Sequence, residues 1–155
     1  MSNCPNNAFD VLERMQPSVV RIYNQSSEMS IDEIRGRCPN TLIAYRHYSD
    51  HDDHESADLF FDEMRDMFDK LRGRCVLWEG INEPIVQSLD GARVLDAWIA
   101  RFAQLLHGER ELVAGFCWST GNPAPDKLPQ IVPYLADAAA AADVHTFHEY
   151  YCGTG

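Results

Sequence analysis

The sequence predicts an α/β fold of parallel strands alternating with helices, and three observations carry that expectation. Segments rich in β-branched and aromatic residues take turns with segments of helical periodicity along the 155 residues. The residues that open the strand segments, Val19, Leu42, Cys75, Leu112 and Val144, recur about every 30 residues, the length of one βαβ unit. No linker, repeat or low-complexity stretch interrupts the alternation, so one domain is expected. Eight such units would need about 250 residues, the usual size of a (β/α)8 barrel. Five strands with a helix before the first are therefore read as part of such a barrel.

Each element follows from local signals. "AFDVLERM" carries Phe9, Leu12 and Met15 at helical spacing, with Pro17 just beyond. "PSVVRIYN" reads as a strand. "SIDEIRGRCPN" opens with Ser30 and Glu33 at capping-box spacing, which predicts a short helix ended at Gly36. "TLIAYRHYS" is the second strand. Ser56 can cap a helix whose apolar face is Leu59, Phe60, Met64, Met67, Phe68 and Leu71, with Gly73 at its end. "RCVLWEGINEP" is the third strand. "ARVLDAWIARFAQLLHG" is an amphipathic helix on Val94, Leu95, Trp98, Phe102, Leu105 and Leu106, stopped by Gly108. "ELVAGFCWS" is the fourth strand and "STGNPAP" a long turn. "QIVPYLADAAAAA" is a helix with Pro133 in its first turn, and "DVHTFHEYY" is the fifth strand.

Composition narrows the function classes. A net charge of −11, with the 13 lysines and arginines scattered, excludes nucleic acid as a partner. No apolar run has the ~18 residues of a membrane span, so no membrane partner is expected. No secretory signal is visible at the N-terminus. The five cysteines, Cys4, Cys38, Cys75, Cys117 and Cys152, are far apart and form no C-x-x-C pair. Buried free thiols in a reducing compartment are expected rather than disulfides or zinc.

In parallel α/β architectures the chemistry gathers where strands end. All five strand segments end on such groups: Tyr23 and Asn24; Arg46, His47 and Tyr48; Asn82 and Glu83; Trp118 and Ser119; His148, Glu149 and Tyr150. Strand alternation sets Glu79, Ile81 and Glu83 on one face, with Glu83 as the last residue before Pro84. A glutamate at a barrel mouth beside an amide suits a general acid; glycoside hydrolysis needs two such carboxyls. Glu79 lies deeper and is expected to be a structural partner of Arg46 or Arg21.

"WEGINEP" resembles the fourth-strand signature of the clan A glycoside hydrolases, retaining glycosidases built on the (β/α)8 TIM barrel. "HEY" resembles the sixth-strand His-x-Tyr of the same clan, and "VVRIYN" its second-strand arginine segment. "MQPSVVRIYN", "WEGINEP", "STGNP" and "HEYY" together look like a group of bacterial and phage glycosidase-like proteins. The resemblance implies Glu83 as catalytic acid/base and Asn82 as the residue holding a sugar hydroxyl. It implies His148, Tyr150 and Arg21 as further site residues, acting on a β-linked glycan without cofactor or metal. Aligning the motifs makes the five strands numbers two to six, so residues 1–155 correspond to a single incomplete barrel domain lacking strands one, seven and eight. The strand-seven nucleophile is then expected beyond Gly155. Glu149 opposes His148 and Tyr150 in strand parity and does not fill that role. A fragment of a longer chain accounts for the missing strands, and a half-barrel that pairs with a second copy is the other explanation. A non-catalytic carbohydrate-binding or scaffold barrel, or a fragment inactive on its own, is the alternative function.

Trp118, at the end of the fourth strand, is a candidate platform for a sugar ring. Tyr48, Asn122 and Tyr151 are further candidates for the cleft lining. Trp78 is expected to pack under helices and Trp98 in the core. "HYSDHDDHE" gathers metal-ligating side chains, but nothing fixes them on one face, so it reads as a solvated loop before the Ser56 cap. A nucleophilic cysteine, Cys117 or Cys152 beside His145 or His148, has no base placed by the sequence. No nucleotide-binding motif is present.

Overall fold

The computed structural model of the chain describes residues 8–23, 28–47, 56–74, 77–119 and 122–148. Among the described residues five strands form one sheet: β1 (Val19–Tyr23), β2 (Leu42–Arg46), β3 (Leu77–Glu79), β4 (Leu112–Ser119) and β5 (Val144–His148). Every pairing is parallel and the spatial order is β1-β2-β3-β4-β5. The fold is thus α/β with alternating helices and a wholly parallel sheet, and its strand order never reverses.

The helices are α1 (Ala8–Met15), α2 (Glu28–Arg37), α3 (Ala57–Glu63), α4 (Arg65–Leu71), α5 (Leu89–Gly108), α6 (Leu128–Ile131) and α7 (Ala136–Ala141). Among the described residues, hydroxyl caps start two of them. Ser56 Oγ accepts from the Leu59 N–H at 3.2 Å, and Ser88 Oγ from the Gly91 N–H at 3.0 Å. Neighbouring helices touch in the pairs α1/α2, α3/α5 and α5/α7. The main core lies between them and the sheet. Ile43, Tyr45, Trp78 and Val113 from the strands meet Phe60, Phe68, Trp98, Phe102 and Leu106 from the helices. Trp78 is fully buried, with ring centroids of Phe68 and Tyr45 at 4.8 and 5.2 Å, and its indole N–H donates to Glu111 at 3.0 Å. Gly115 permits the close approach of the segment after α7: a Cβ there would lie 2.8 Å from the Ala142 Cβ.

The opposite face of the sheet is different. Ala44, Leu77 and Ala114 form a small separate cluster. By alternation the strand-opening residues Val19, Leu42, Leu112 and Val144 share that face, and they are 50, 45, 43 and 43% exposed. Further along the strands the same face is closed: Ala44, Leu77, Ala114, Arg46 and Glu79 are at most 5% exposed.

Several elements differ from expectation. β3 stops at Glu79 rather than running to Glu83; residues 81–83 form a bend. The chain leaves the strand at Gly80, whose Cα lies so close to α5 that a Cβ would meet Trp98 Cζ3 at 3.0 Å. The helix expected to end at Gly36 begins earlier, at Glu28, so Ser30 lies inside it, and it runs on to Arg37. There Arg37 pairs with Glu33 one turn back and with Asp10 of α1, both at 2.6 Å, which holds the last turn across the glycine. The helix after Ser56 divides at Met64 into α3 and α4. Its inner face uses Phe61, while Leu59 is exposed. Val94 on α5 is also exposed, and Ala92, Ile99 and Ala103 take inner positions. The segment around Pro133 splits into α6, a 3-10 turn over Val132–Tyr134, and α7, because proline removes an amide donor from the helix ladder.

Candidate functional site at the C-terminal edge of the sheet

Register brings the charged residues together. Arg21 is paired with Ala44 across β1 and β2, and Arg46 with Glu79 across β2 and β3. These four therefore share the face opposite the helices, near the strands' C-terminal ends. Glu79 is 1% exposed and lies between two arginines. Arg21 Nε donates to Glu79 Oε1 at 2.8 Å, and Arg21 Nη2 is at the same distance from that oxygen. Arg46 Nε lies 2.9 Å from Glu79 Oε2, an ion pair in distance without the alignment of a linear hydrogen bond. Burial acts to lower the Arg21 pKa, but the charge and hydrogen bond of Glu79 outweigh it and hold the guanidinium above its ordinary value. The expected structural pairing of Glu79 is thus present, with both arginines at once.

Arg46 also reaches upward, donating from Nη1 to Asn82 Oδ1 at 2.5 Å. The Tyr23 ring centroid stands 6.0 Å from the Arg46 guanidinium, and Tyr23 is exposed at the same edge. Glu83 follows Asn82 in the bend and is half-buried. Its backbone lies in the left-handed region, φ +48°, and its N–H donates to the Cys117 carbonyl at 3.1 Å. The neighbouring strand is irregular at the same level. A bulge separates Gly115 from Trp118, and Phe116 and Cys117 have φ of +70° and +41°. Asn122, a sequence candidate for the cleft, ties the segment after Glu83 instead: its amide nitrogen donates to the Pro84 carbonyl, and its oxygen accepts from the Val86 N–H at 3.4 Å.

Cys117 completes this group. The thiol is buried, and burial pushes its pKa up, as does the negative charge of Glu79. Thr146 Oγ1 donates to its sulfur at 3.1 Å. A thiol held protonated is a poor nucleophile. Cys38 is likewise buried and free. Cys4, Cys75 and Cys152 lie outside the described residues.

The sequence candidates are placed as follows. Arg21, Asn82 and Glu83 occupy the same edge, linked through Glu79, Arg46 and Cys117. Trp118 is 6% exposed, within the main core cluster, with its ring 4.8 Å from Phe116. It offers no open face to a sugar ring, because the bulge before it turns the end of the strand so that the indole packs into the main core. His148 is the last residue of β5, in register with Ser119 of β4. Tyr150, with Tyr48, Glu149, Tyr151 and the acidic-histidine loop from His51 to Glu55, lies outside the described residues. The sequence places Arg46 among the strand-end groups and as a partner of Glu79, without its contact to Asn82, and gives no place to Thr146. Arg46 carried a signal, an arginine ending a strand beside one ending in Asn-Glu, whereas Thr146 carried none.

Among the described residues no three His, Cys, Asp or Glu side chains cluster as a metal site requires, and no helix is long and apolar enough to cross a membrane. In comparison with known proteins, no family model and no curated protein matches the chain.

Proposed function

We propose that the chain is part of a (β/α)8 barrel of glycoside hydrolase type, acting on a β-linked glycan by a retaining two-carboxylate mechanism. Glu83 is the acid/base. It protonates the departing glycosidic oxygen, then deprotonates the water that releases the sugar from a glycosyl-enzyme ester. Asn82 holds a sugar hydroxyl, and Arg21, with His148 and Tyr150, organises the site. The nucleophile is a carboxylate from outside the described residues.

The observation that carries this reading is the way Glu83 is held. A non-glycine residue in the left-handed region costs about 1–2 kcal/mol, and here three such residues, Glu83, Phe116 and Cys117, meet at one strand edge. Bonds from Arg46, from the Cys117 carbonyl and from Asn122 fix the segment that contains Glu83. Backbone strain held from several sides is characteristic of sites that must present one side chain. Barrel architecture is supported by the unreversed strand order and by the Val19, Leu42, Leu112 and Val144 layer on the face opposite the main core. Branched aliphatic residues in that position fill barrel interiors.

The test is hydrolysis of neutral β-linked oligosaccharides by the polypeptide at its native length, with and without Glu83→Gln. The expected result is loss of glycan hydrolysis in the variant with its fold intact. Unchanged hydrolysis would overturn the acid/base role. Absence of hydrolysis in the unsubstituted polypeptide, with retained binding of the same oligosaccharides, would favour the carbohydrate-binding barrel.

A further inference from the structure

The geometry points to Arg46 as the positioning residue of the site: it fixes the Asn82 amide so that the NH2 group faces the mouth and meets an acceptor oxygen of the ligand. An arginine has only donors, so the amide oxygen alone can face it. The Arg46 Nη1 to Asn82 Oδ1 bond of 2.5 Å therefore assigns the amide without ambiguity. Arg46 is itself fixed: its side chain is 5% exposed, and Nε sits against the buried Glu79 at 2.9 Å. Asn82 is exposed, and its Nδ2 has no hydrogen-bond partner among the described residues. The order Glu79–Arg46–Asn82 runs from the sheet interior to solvent. It turns a buried carboxylate into the orientation of an exposed donor.

The consequence is a specificity rule. The ligand atom at Asn82 is an acceptor, such as a hydroxyl oxygen, and a protonated amine at that place meets a donor and is rejected. The inference rests on the glycosidase reading only for the identity of the ligand as a sugar.

Asn82→Asp separates this role from a structural one. The carboxylate keeps an oxygen for Arg46 but has no hydrogen to donate. In the native-length polypeptide, the carboxyl introduced by the substitution is expected to titrate by NMR below the ordinary aspartate value of about 3.9. The thermal midpoint is expected not to fall, while glycan hydrolysis falls by about 10²-fold, the scale of one lost donor in an active site. An ordinary titration would overturn the Arg46 contact, and unchanged hydrolysis would overturn the donor role. Should the unsubstituted polypeptide hydrolyse no glycan, the glycosidase reading fails while the titration still decides the Arg46 contact.

Discussion

Replacing Glu79 by glutamine probes the centre of the site's architecture. The substitution keeps shape and one acceptor but removes the charge between two guanidiniums. The Arg46 side chain is 5% exposed, so its positive charge would remain buried without its counter-ion. Breaking a buried pair in this way costs about 3–5 kcal/mol. The Arg21 side chain is 30% exposed, and water screens what it loses, so it adds at most about 1 kcal/mol. For a chain of this length each kcal/mol lowers the thermal midpoint by about 2–4 °C, which gives a fall of about 6–24 °C. Urea unfolding at neutral pH measures the loss directly, and an unchanged m-value confirms that the native state alone was altered. Arg21→Gln is expected to cost only about 1 kcal/mol, because Glu79 retains Arg46. A Glu79→Gln loss below that of Arg21→Gln would show that the buried Glu79–Arg46 pair contributes nothing.

Two further outcomes are expected. The Cys117 thiol, held protonated by burial and by Glu79, should react slowly with a thiol reagent in the native protein and at an ordinary rate in urea; rapid native modification would contradict its placement. Asp143 bonds His107 at 2.9 Å and the Val113 N–H at 2.9 Å. Burial acts to raise its pKa, but those bonds and the His107 charge outweigh it, so the carboxyl lies below its ordinary value. Its stabilisation is then complete above the ordinary aspartate range and lost as pH falls through the lowered value. The stability gap between the parent and Asp143→Asn should shrink on acidification, and a gap that widens would contradict the sign.

Much of the fold was legible because its signals are local. Five apolar β-branched runs, the Ser56 cap and the stripe of Leu95, Trp98, Phe102 and Leu106 need only spacing to be read. The errors have tertiary causes. The apolar run from Val76 reads as a strand to Glu83, but the contact of Gly80 with Trp98 ends it at Glu79. That shift made Glu79 the strand-end carboxylate and Glu83 a residue of the bend. The bulge between Gly115 and Trp118 leaves no mark in the sequence, yet it decides that Trp118 packs in the core. The Glu79 ion pairs were legible because an acidic residue inside a buried strand demands a cation. The hold of Arg46 on Asn82 was not, because it joins residues 36 apart, one at the end of β2 and one in the bend after β3.

Proton transfer by Glu83 in glycoside cleavage is open to a decisive measurement: Glu83→Ala in the native-length polypeptide, with two leaving groups and with azide. Removing the acid harms a poorly leaving alkyl glycoside far more than an activated aryl one, since only the former needs protonation. Azide attacks the glycosyl-enzyme without base help and displaces the carboxylate, giving a glycosyl azide of retained configuration. The expected result is aryl glycoside turnover that azide accelerates and alkyl glycoside turnover that is lost. Equal loss on both substrates with no azide effect would contradict it.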